Sequence, residues 1–244
     1  MTRRWWVLLS LIFTVSVVAA LAWRYARGPL ETVAAPAHKP RYVYLPDGST
    51  VWLNAGAEVT YRAVATLASL SVRGEAVVAV NAVRTAPLEV DLATVKLSLP
   101  GGTQVWVAAP ETGLLVHCLA GTLEARRSTT ERWQVAHGYS LRLPPPAGRD
   151  TLVAENVFNR LAWQHRRLAW QRAPLQDVTE DLGSYFGIPF QTDGPATDTL
   201  RFSGAFQNPS PEEVLGILAR TLPVSYTRAG EGFALRYAPA GTGQ

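Results

Sequence analysis

The feature that most constrains this chain is a run of nineteen uncharged residues near its N-terminus, residues 5–23, with the sequence WWVLLSLIFTVSVVAALAW. At about 1.5 Å per residue, a helix of that length spans roughly 28 Å, close to the ~30 Å hydrocarbon core of a bilayer. Tryptophans stand at both ends of the run, where amphipathic rings favour the headgroup region. We therefore predict a membrane-spanning helix over residues 5–23, preceded by a short tail.

The alternative for this segment is a cleaved signal peptide, because Ala20-Leu21-Ala22 has the small-x-small form of a cleavage site. An anchor is favoured by the length of the apolar run and by the aromatic residue at its end. Both alternatives place residues 24–244 outside the cytoplasm.

Composition excludes several classes of protein. Hydrophobic residues make up 48% of the chain and charged residues 17%, which excludes a disordered chain or a coiled coil. The net charge is only +4 and no Lys/Arg run exceeds two residues, so we expect no nucleic-acid partner. Cys118 is the only cysteine, which excludes an internal disulfide and a cysteine-based zinc cluster.

Residues 41–143 alternate apolar and polar positions in short runs separated by turns. The first turn is Pro46-Asp47-Gly48-Ser49, in which Pro sets φ, Asp bonds its own backbone and Gly accepts a positive φ. Tyr42 and Tyr44 precede this turn and Val51 and Leu53 follow it. Many short strands at this spacing predict an antiparallel β sandwich or barrel-like domain, and the protein as a whole is predicted to be mainly β.

Segments rich in proline separate the predicted parts. Residues 24–40 include GPLETVAAPAHKP, which has no periodicity and is predicted to be a linker. Three prolines at 144–146 open a second predicted linker over residues 144–162. A small domain over residues 163–238 and a tail over 239–244 complete the chain.

The small domain is predicted to be α+β, with the order β-α-β-β-α-β-β and both helices on one sheet. Pro174 is placed in the first turn of the first helix, and Gly187 is placed to end that helix. Ser210-Pro211-Glu212-Glu213 predicts the start of the second helix through a capping box. The predicted strands include residues 168–170 and 233–237.

The residues that could carry chemistry in this sequence also have structural explanations. The sequence has no GxSxG motif, no P-loop and no GxGxxG motif, so we expect no enzyme and no cofactor. His117 and Cys118 are adjacent on a predicted strand and point to opposite faces, which makes them a poor metal pair. Tryptophans such as Trp52 and Trp106 favour core packing over sugar stacking. Glu75 is either a paired carboxylate or a surface turn residue.

Several segments, in the same order along the chain, resemble the FecR family. They are PDGSTVWLNAGAEVTY (residues 46–61), VRGEA (72–76), the segment 163–175 that ends in APL, LRFSGAF (200–206) and SPEEVLGIL (210–218). The last three are similar to the C-terminal domain of Bacteroidetes-type FecR regulators, which is related to the short N-terminal domain of secretins and TonB-dependent receptors.

The resemblance implies a single-pass inner-membrane protein whose C-terminal region lies in the periplasm. Such regulators, of the anti-sigma type, relay a signal from the periplasmic signalling domain of a TonB-dependent receptor to an extracytoplasmic-function sigma factor, in iron or glycan uptake. Family members usually carry a cytoplasmic domain before the span, whereas only four residues precede it here. Contact with the sigma factor is therefore expected either directly, from a longer chain, or through another chain.

Two further departures from the family pattern concern single sites. Arg166 stands where the C-terminal domain often has Gly, and the LGT-x-F stretch is altered around residues 99–103. Some family members cleave themselves at a Gly-Thr bond, and here the candidate is Gly102-Thr103, for which a plain turn is the alternative.

The residues expected to bind the receptor domain lie on two short strands with an open sheet edge, which can pair with a partner strand. They are Leu168, Trp170, Phe233, Leu235 and Tyr237. The alternative function is a carbohydrate- or envelope-binding module anchored to the inner membrane. A hydrolase is a third possibility, for which no residue constellation is present.

Overall fold

A computed structural model describes residues 16, 28–65, 67–109, 113–144, 148–194, 196–197 and 199–238. The chain divides into two compact units, Met1–Glu155 and Asn156–Gln244. Apart from Ser16, the predicted span over residues 5–23 lies outside the described residues. Among the residues that are described, no helix is long and apolar enough to cross a membrane.

The first unit consists of two seven-stranded sheets. In the first sheet the strands lie in the order β1 (Leu30–Ala34), β4 (Glu58–Arg62), β5 (Ser69–Arg73), β7 (Leu88–Asp91), β8 (Lys96–Leu99), β11 (Thr122–Arg126) and β12 (Arg132–Ala136). In the second sheet the order is β14 (Thr151–Ala154), β13 (Tyr139–Leu143), β10 (Leu114–Ala120), β9 (Gln104–Ala108), β6 (Ala76–Ala79), β3 (Thr50–Leu53) and β2 (Arg41–Tyr44).

Alternating side chains from both sheets form one hydrophobic core. Val59 and Leu97 from the first sheet and Val51 and Val116 from the second are all fully buried in this cluster. Every described strand pair in this unit is antiparallel except β5 with β7. Each sheet is open, with β1 and β12 at the edges of one and β14 and β2 at the edges of the other. The predicted sandwich is therefore correct, and the barrel-like alternative is wrong.

Both predicted linkers contain strands. Strand β1 pairs antiparallel with β4 and β14 pairs antiparallel with β13, so neither 24–40 nor 144–162 is only a linker. Both strands lie at sheet edges with nearly all side chains exposed, and β14 is exposed throughout. An edge strand of this kind lacks the apolar alternation that marks a half-buried strand, because backbone hydrogen bonds rather than side-chain burial hold it.

In the first predicted strand, the residue that faces the core is Val43 and not one of the tyrosines beside it. Val43 is buried in the core, whereas Tyr42 and Tyr44 point to the opposite face and Tyr44 is 75% exposed. Side chains of successive strand residues alternate between faces, so burial of Val43 requires both tyrosines to point outward. The tyrosines therefore lie outside the core.

The second unit has the predicted order β-α-β-β-α-β-β, preceded by a short helical segment. A 3-10 turn (Asn159–Leu161) and helix α1 (Ala162–His165) lead into β15 (Arg167–Pro174), α2 (Leu175–Phe186), β16 (Phe190–Asp193), β17 (Arg201–Gln207), α3 (Pro211–Thr221), β18 (Val224–Ala229) and β19 (Gly232–Tyr237). The strands form two sheets, a pair β15-β17 and a triplet β16-β19-β18. The prediction of one sheet is wrong, because strand pairing depends on long-range contacts that alternation does not encode.

Both helices bury their apolar faces in one cluster with side chains from both sheets, including Leu182, Leu218, Phe202 and Leu235. Phe202 and Ser203 lie on opposite faces of β17, with Phe202 in this core and Ser203 exposed.

The helix ends lie where the sequence predicts them, except at Pro174. Pro174 is the N-cap of α2 and the last residue of β15, one position before the predicted first turn. Gly187 ends α2 with φ +69°, and the Ser210 hydroxyl accepts a hydrogen bond from the Glu213 amide at 3.2 Å, both as predicted. Arg166 ends α1 with φ +55°, a left-handed conformation that favours glycine and matches the Gly of related domains.

Candidate functional site

The predicted receptor-binding residues have mostly buried side chains. Leu168 and Leu235 are fully buried, and Trp170 and Phe233 are 5% and 8% exposed. Tyr237 is the exception, with 44% of its surface exposed. The buried side chains belong to the hydrophobic core of the second unit. A role of these residues in receptor binding remains a prediction.

The edge geometry differs from the prediction at both strands. Strand β19 lies between β16 and β18, so residues 233–237 have no open edge. Strand β15 has β17 on one side only, but on its other side the Ala169 amide donates a hydrogen bond to the Asn159 side chain at 2.8 Å. The error has a physical reason, since strand length and composition do not reveal which strand is central.

Asp181 holds the covered edge of β15 in place. Its carboxylate accepts hydrogen bonds from the Trp170 indole at 2.8 Å and from the Asn159 amide at 2.7 Å. Asn159 thereby bridges helix α2 and strand β15. No local pattern in the sequence signals Asp181 as a site residue, because its partners Trp170 and Asn159 are 11 and 22 residues away.

Strand β17 is seven residues long, and within the described chain no strand pairs with its outer edge. Since the Ala169 amide points away from β17, Ala169 and Ala205 form a non-hydrogen-bonded pair of the antiparallel ladder. The backbone N–H and C=O of Ala205 therefore point to the open edge, as do those of Ser203 and Gln207 by alternation. All three residues are exposed.

In the first unit, Glu75 joins two of the motifs that carry the family resemblance. Its carboxylate accepts hydrogen bonds from the Asn54 amide at 2.8 Å and from the Trp106 indole at 2.9 Å. Of the two alternatives open for Glu75, the structure has the paired carboxylate. Trp106 is 3% exposed and serves packing rather than ligand stacking.

The predicted turn at residues 46–49 is held by a buried ion pair. Asp47 accepts hydrogen bonds from the amide and hydroxyl of Ser49 at 3.0 and 2.9 Å, and it forms a salt bridge with Arg84. The side chains of Asp47 and Arg84 are only 4% and 12% exposed. The Asn81 side chain closes the network by donating to the Asp47 carbonyl at 2.8 Å. Local sequence identified the turn but not Arg84 or Asn81.

The self-cleavage candidate lies in an ordinary turn. Gly102 has φ +79°, which glycine adopts without strain, and the Thr103 amide donates to the Pro100 carbonyl at 3.1 Å. Thr103 is 2% exposed, so its hydroxyl is shielded from solvent. The bond thus has the geometry of the plain turn that was the alternative to a cleavage site.

Three of the four histidines, His117, His137 and His165, and the cysteine have hydrogen-bond partners in the structure. The His117 Nδ1 lies 2.6 Å from the Ser140 hydroxyl, and burial lowers the pKa of His117, partly opposed by the nearby Glu155 carboxylate. Burial also lowers the pKa of His165 and raises the pKa of the Cys118 thiol. Within the described residues, no three His, Cys, Asp or Glu side chains form a group that could hold a metal ion.

A surface pocket of about 390 Å³ in the first unit is lined by four cations: Lys96, Arg126, Arg127 and Arg132. Each of them has a carboxylate within 4.0 Å. The cations are therefore neutralised locally, which argues against a strong anion site.

A cluster of three aromatic side chains lies on the outer face of β2 and β3. The rings of Tyr42 and Tyr44, and those of Tyr42 and Trp52, have centroids 4.4 Å apart in edge-to-face geometry. Because Tyr44 is largely exposed, this cluster offers an aromatic surface to solvent.

Comparison with known proteins agrees with the two-unit organisation. The profile "FecR protein" matches residues 31–124, and the profile "FecR, C-terminal" matches residues 167–233. The first match starts within β1, inside the predicted linker. The two matches cover more than half of the chain in the expected order. The chain therefore belongs to the FecR family, and the resemblance noted in the sequence is confirmed.

The fold is also found in crystal structures at 2.50 and 1.65 Å resolution of a Parabacteroides distasonis protein described as a "putative anti-sigma factor". In each comparison the TM-score is 0.61 and the sequence identity is 20%, with 86% of this chain and 100% of that one covered. A search of the curated proteins found no match.

Proposed function

We propose that this protein is a membrane-anchored regulator of the anti-sigma type that couples a TonB-dependent outer-membrane receptor to an extracytoplasmic-function sigma factor. The observation that carries the proposal is the occurrence of both FecR-family domains, in order, in one chain. The fold shared with the whole crystallised chain of the Parabacteroides distasonis protein is consistent with it. Family members have a regulatory rather than a catalytic function, and we assign no enzymatic role.

The membrane anchor in this proposal is the uncharged run over residues 5–23, and its support comes from sequence alone. The anchor places residues 24–244 in the periplasm and makes the protein single-pass in the inner membrane. An alkaline phosphatase fusion after Gln244 is expected to be active and to sediment with membranes. A soluble, processed chain that starts near Trp23 would contradict the anchor.

The second unit is the receptor-facing part in our proposal. It is small, it has open strand edges, and an open edge binds an extended segment through main-chain hydrogen bonds. The event at the receptor reaches the sigma factor through the anchor, either directly or through a separate cytoplasmic chain. The regulated process is uptake of a nutrient such as iron or a glycan.

The decisive experiment measures binding of the detergent-solubilised full chain to the purified signalling domain of the TonB-dependent receptor encoded beside it. A sigma-dependent reporter, measured with and without the chain in cells, supplies the regulatory readout. We expect binding and a change in reporter output. Absence of both would overturn the proposal.

The exposed aromatic cluster of Tyr42, Tyr44 and Trp52 favours a second candidate, binding of an envelope carbohydrate, because aromatic faces stack on sugar rings. Soluble peptidoglycan fragments, titrated against wild type and the Tyr44→Ala variant, test it. Binding that Tyr44→Ala abolishes would support this function, and no binding by wild type would reject it.

A further inference from the structure

We propose that the open edge of strand β17 is where the partner docks, and that the partner segment is an extended strand carrying acidic side chains. This inference rests on the proposed function and names the part of the second unit that carries it. It replaces the edges at residues 168–170 and 233–237, one partly capped by Asn159 and the other internal.

The first support is the backbone geometry of β17. The N–H and C=O groups of Ser203, Ala205 and Gln207 point away from β15, and no described strand pairs with them. Seven residues of extended chain are long enough to accept a partner strand over its usual length. Side chains of neighbouring strands stand side by side on the same face of a sheet, about 4.8 Å apart. Small side chains on the accepting strand therefore leave room for those of the partner strand. The stretch Ser203-Gly204-Ala205 has only small ones.

The second support is the charge of the exposed face of the β15-β17 sheet. The strand sequences RLAWQRAP and RFSGAFQ contain three arginines and no acidic residue. Arg167 and Arg172 are exposed, and neither forms an ion pair with a described carboxylate, in contrast to the paired cations of the first unit. A strand that joins this edge lies two strand spacings, about 10 Å, from β15. Long acidic side chains on its exposed face can reach toward the arginine side chains over the small residues of β17. Acidic side chains there are complementary.

The third support is the bulge in β15. The register between β15 and β17 shifts between Trp170 and Ala173, and Arg172 has φ +51°, which is uncommon for a residue with a side chain. The Arg172 amide donates to the Ser203 hydroxyl at 2.8 Å. The bulge therefore keeps both Gln171 and Arg172 exposed in the strand that neighbours β17.

The competing edge is β18. The Ala238 amide bonds the Pro223 carbonyl, so by alternation the backbone groups of Tyr226 point away from β19 to the open side. The exposed residues of this strand include Tyr226, Thr227 and Arg228, which are bulkier than the residues of β17. Strand β18 therefore provides a matched control.

The experiment measures binding of the purified receptor signalling domain to full-length variants in detergent. Ala205→Pro removes an outward N–H without breaking a bond to β15, and we expect affinity to fall at least about tenfold. Ala205→Ser keeps both that N–H and a small side chain and is expected to bind like wild type, as is Tyr226→Pro at the β18 edge. The double variant Arg167→Glu, Arg172→Glu is expected to lose about tenfold or more, whereas Arg167→Lys, Arg172→Lys keeps most of the affinity.

Hydrogen exchange of the complex provides a readout that needs no variant. The amides of Ala205 and Gln207 are expected to be protected on binding, and those of β18 are not. Thermal unfolding checks that each variant is folded, and if Ala205→Pro is not, the exchange result decides. Wild-type binding with unchanged β17 amides, or loss of binding in Tyr226→Pro alone, would overturn the β17 edge while leaving the proposed function intact. No binding by wild type would overturn both.

Discussion

The indole N–H of Trp106 donates a hydrogen bond of 2.9 Å to the carboxylate of Glu75, which also accepts one from Asn54. These three residues come from β9, the turn before β6 and the turn after β3. The two hydrogen bonds therefore connect Glu75 to residues that lie 21 and 31 positions away in the chain. It gives the VRGEA segment a structural role within the sandwich.

Replacement of Glu75 is expected to destabilise the first unit. Glu75→Ala leaves the buried indole N–H of Trp106 without this acceptor, which costs about 1–3 kcal/mol. Urea unfolding followed by tryptophan fluorescence measures the loss. Glu75→Gln keeps one acceptor oxygen and should lose less, and adding Trp106→Phe to Glu75→Ala should recover part of the loss. Equal stability of wild type and Glu75→Ala would show that the bond contributes nothing.

The ion pair of Asp47 and Arg84 is expected to contribute more than a surface pair. Removing one partner leaves a charge that is largely buried, and the expected loss in Asp47→Asn or Arg84→Gln is about 3–5 kcal/mol. In a double-mutant cycle, the double variant should lose less than the sum of the single variants. Arg73→Gln, at an exposed pair with Glu58, is the control and should change stability by less than about 1 kcal/mol.

Leu218 on α3 is fully buried between the sheets and helices of the second unit. Leu218→Ala is expected to reduce the free energy of unfolding by about 2–5 kcal/mol, because it removes buried methyl groups and leaves a cavity. The neighbouring Ile217 is only partly buried, so Ile217→Ala should lose less. A loss below about 1 kcal/mol in Leu218→Ala would place Leu218 outside the core.

The stability of the first unit is expected to fall in mild acid. Burial lowers the folded-state pKa of His117 below the unfolded value near 6.5, so the unfolded chain binds a proton more readily. The stabilisation by neutral His117 is complete above that unfolded value and decreases as pH falls below it. Unfolding midpoints at about pH 7.5 and 5.5 measure the change. His117→Asn should reduce the dependence, whereas replacing the exposed His38 by Asn should not.

The Gly102-Thr103 bond is expected to stay intact. Self-cleavage requires a strained peptide and a hydroxyl free to attack the preceding carbonyl. Gly102 adopts an unstrained conformation for glycine, and Thr103 is buried. Intact mass of the purified protein should therefore give one species. Two fragments that join at residue 103, and that disappear in Thr103→Ala, would instead establish the cleavage.

Local sequence determined the features of this protein that depend on neighbouring residues. The turn at Asp47, the cap at Ser210 and the left-handed end at Gly187 all form where the sequence places them. Each depends on a side chain or a φ value within a few residues. The order of strands and helices in the second unit was predictable for the same reason, because periodicity is a local signal.

Tertiary structure alone decided which strands are neighbours. Sequence could not show that β19 is central, that Asn159 caps the edge of β15, or that β1 and β14 complete two sheets. The partners in these contacts are far apart in the chain, and backbone hydrogen bonds form between residues of almost any type. An edge strand differs from a central strand only in how many neighbouring strands it has, and no local sequence pattern encodes that number. The open edge of β17 therefore became visible only in the folded chain.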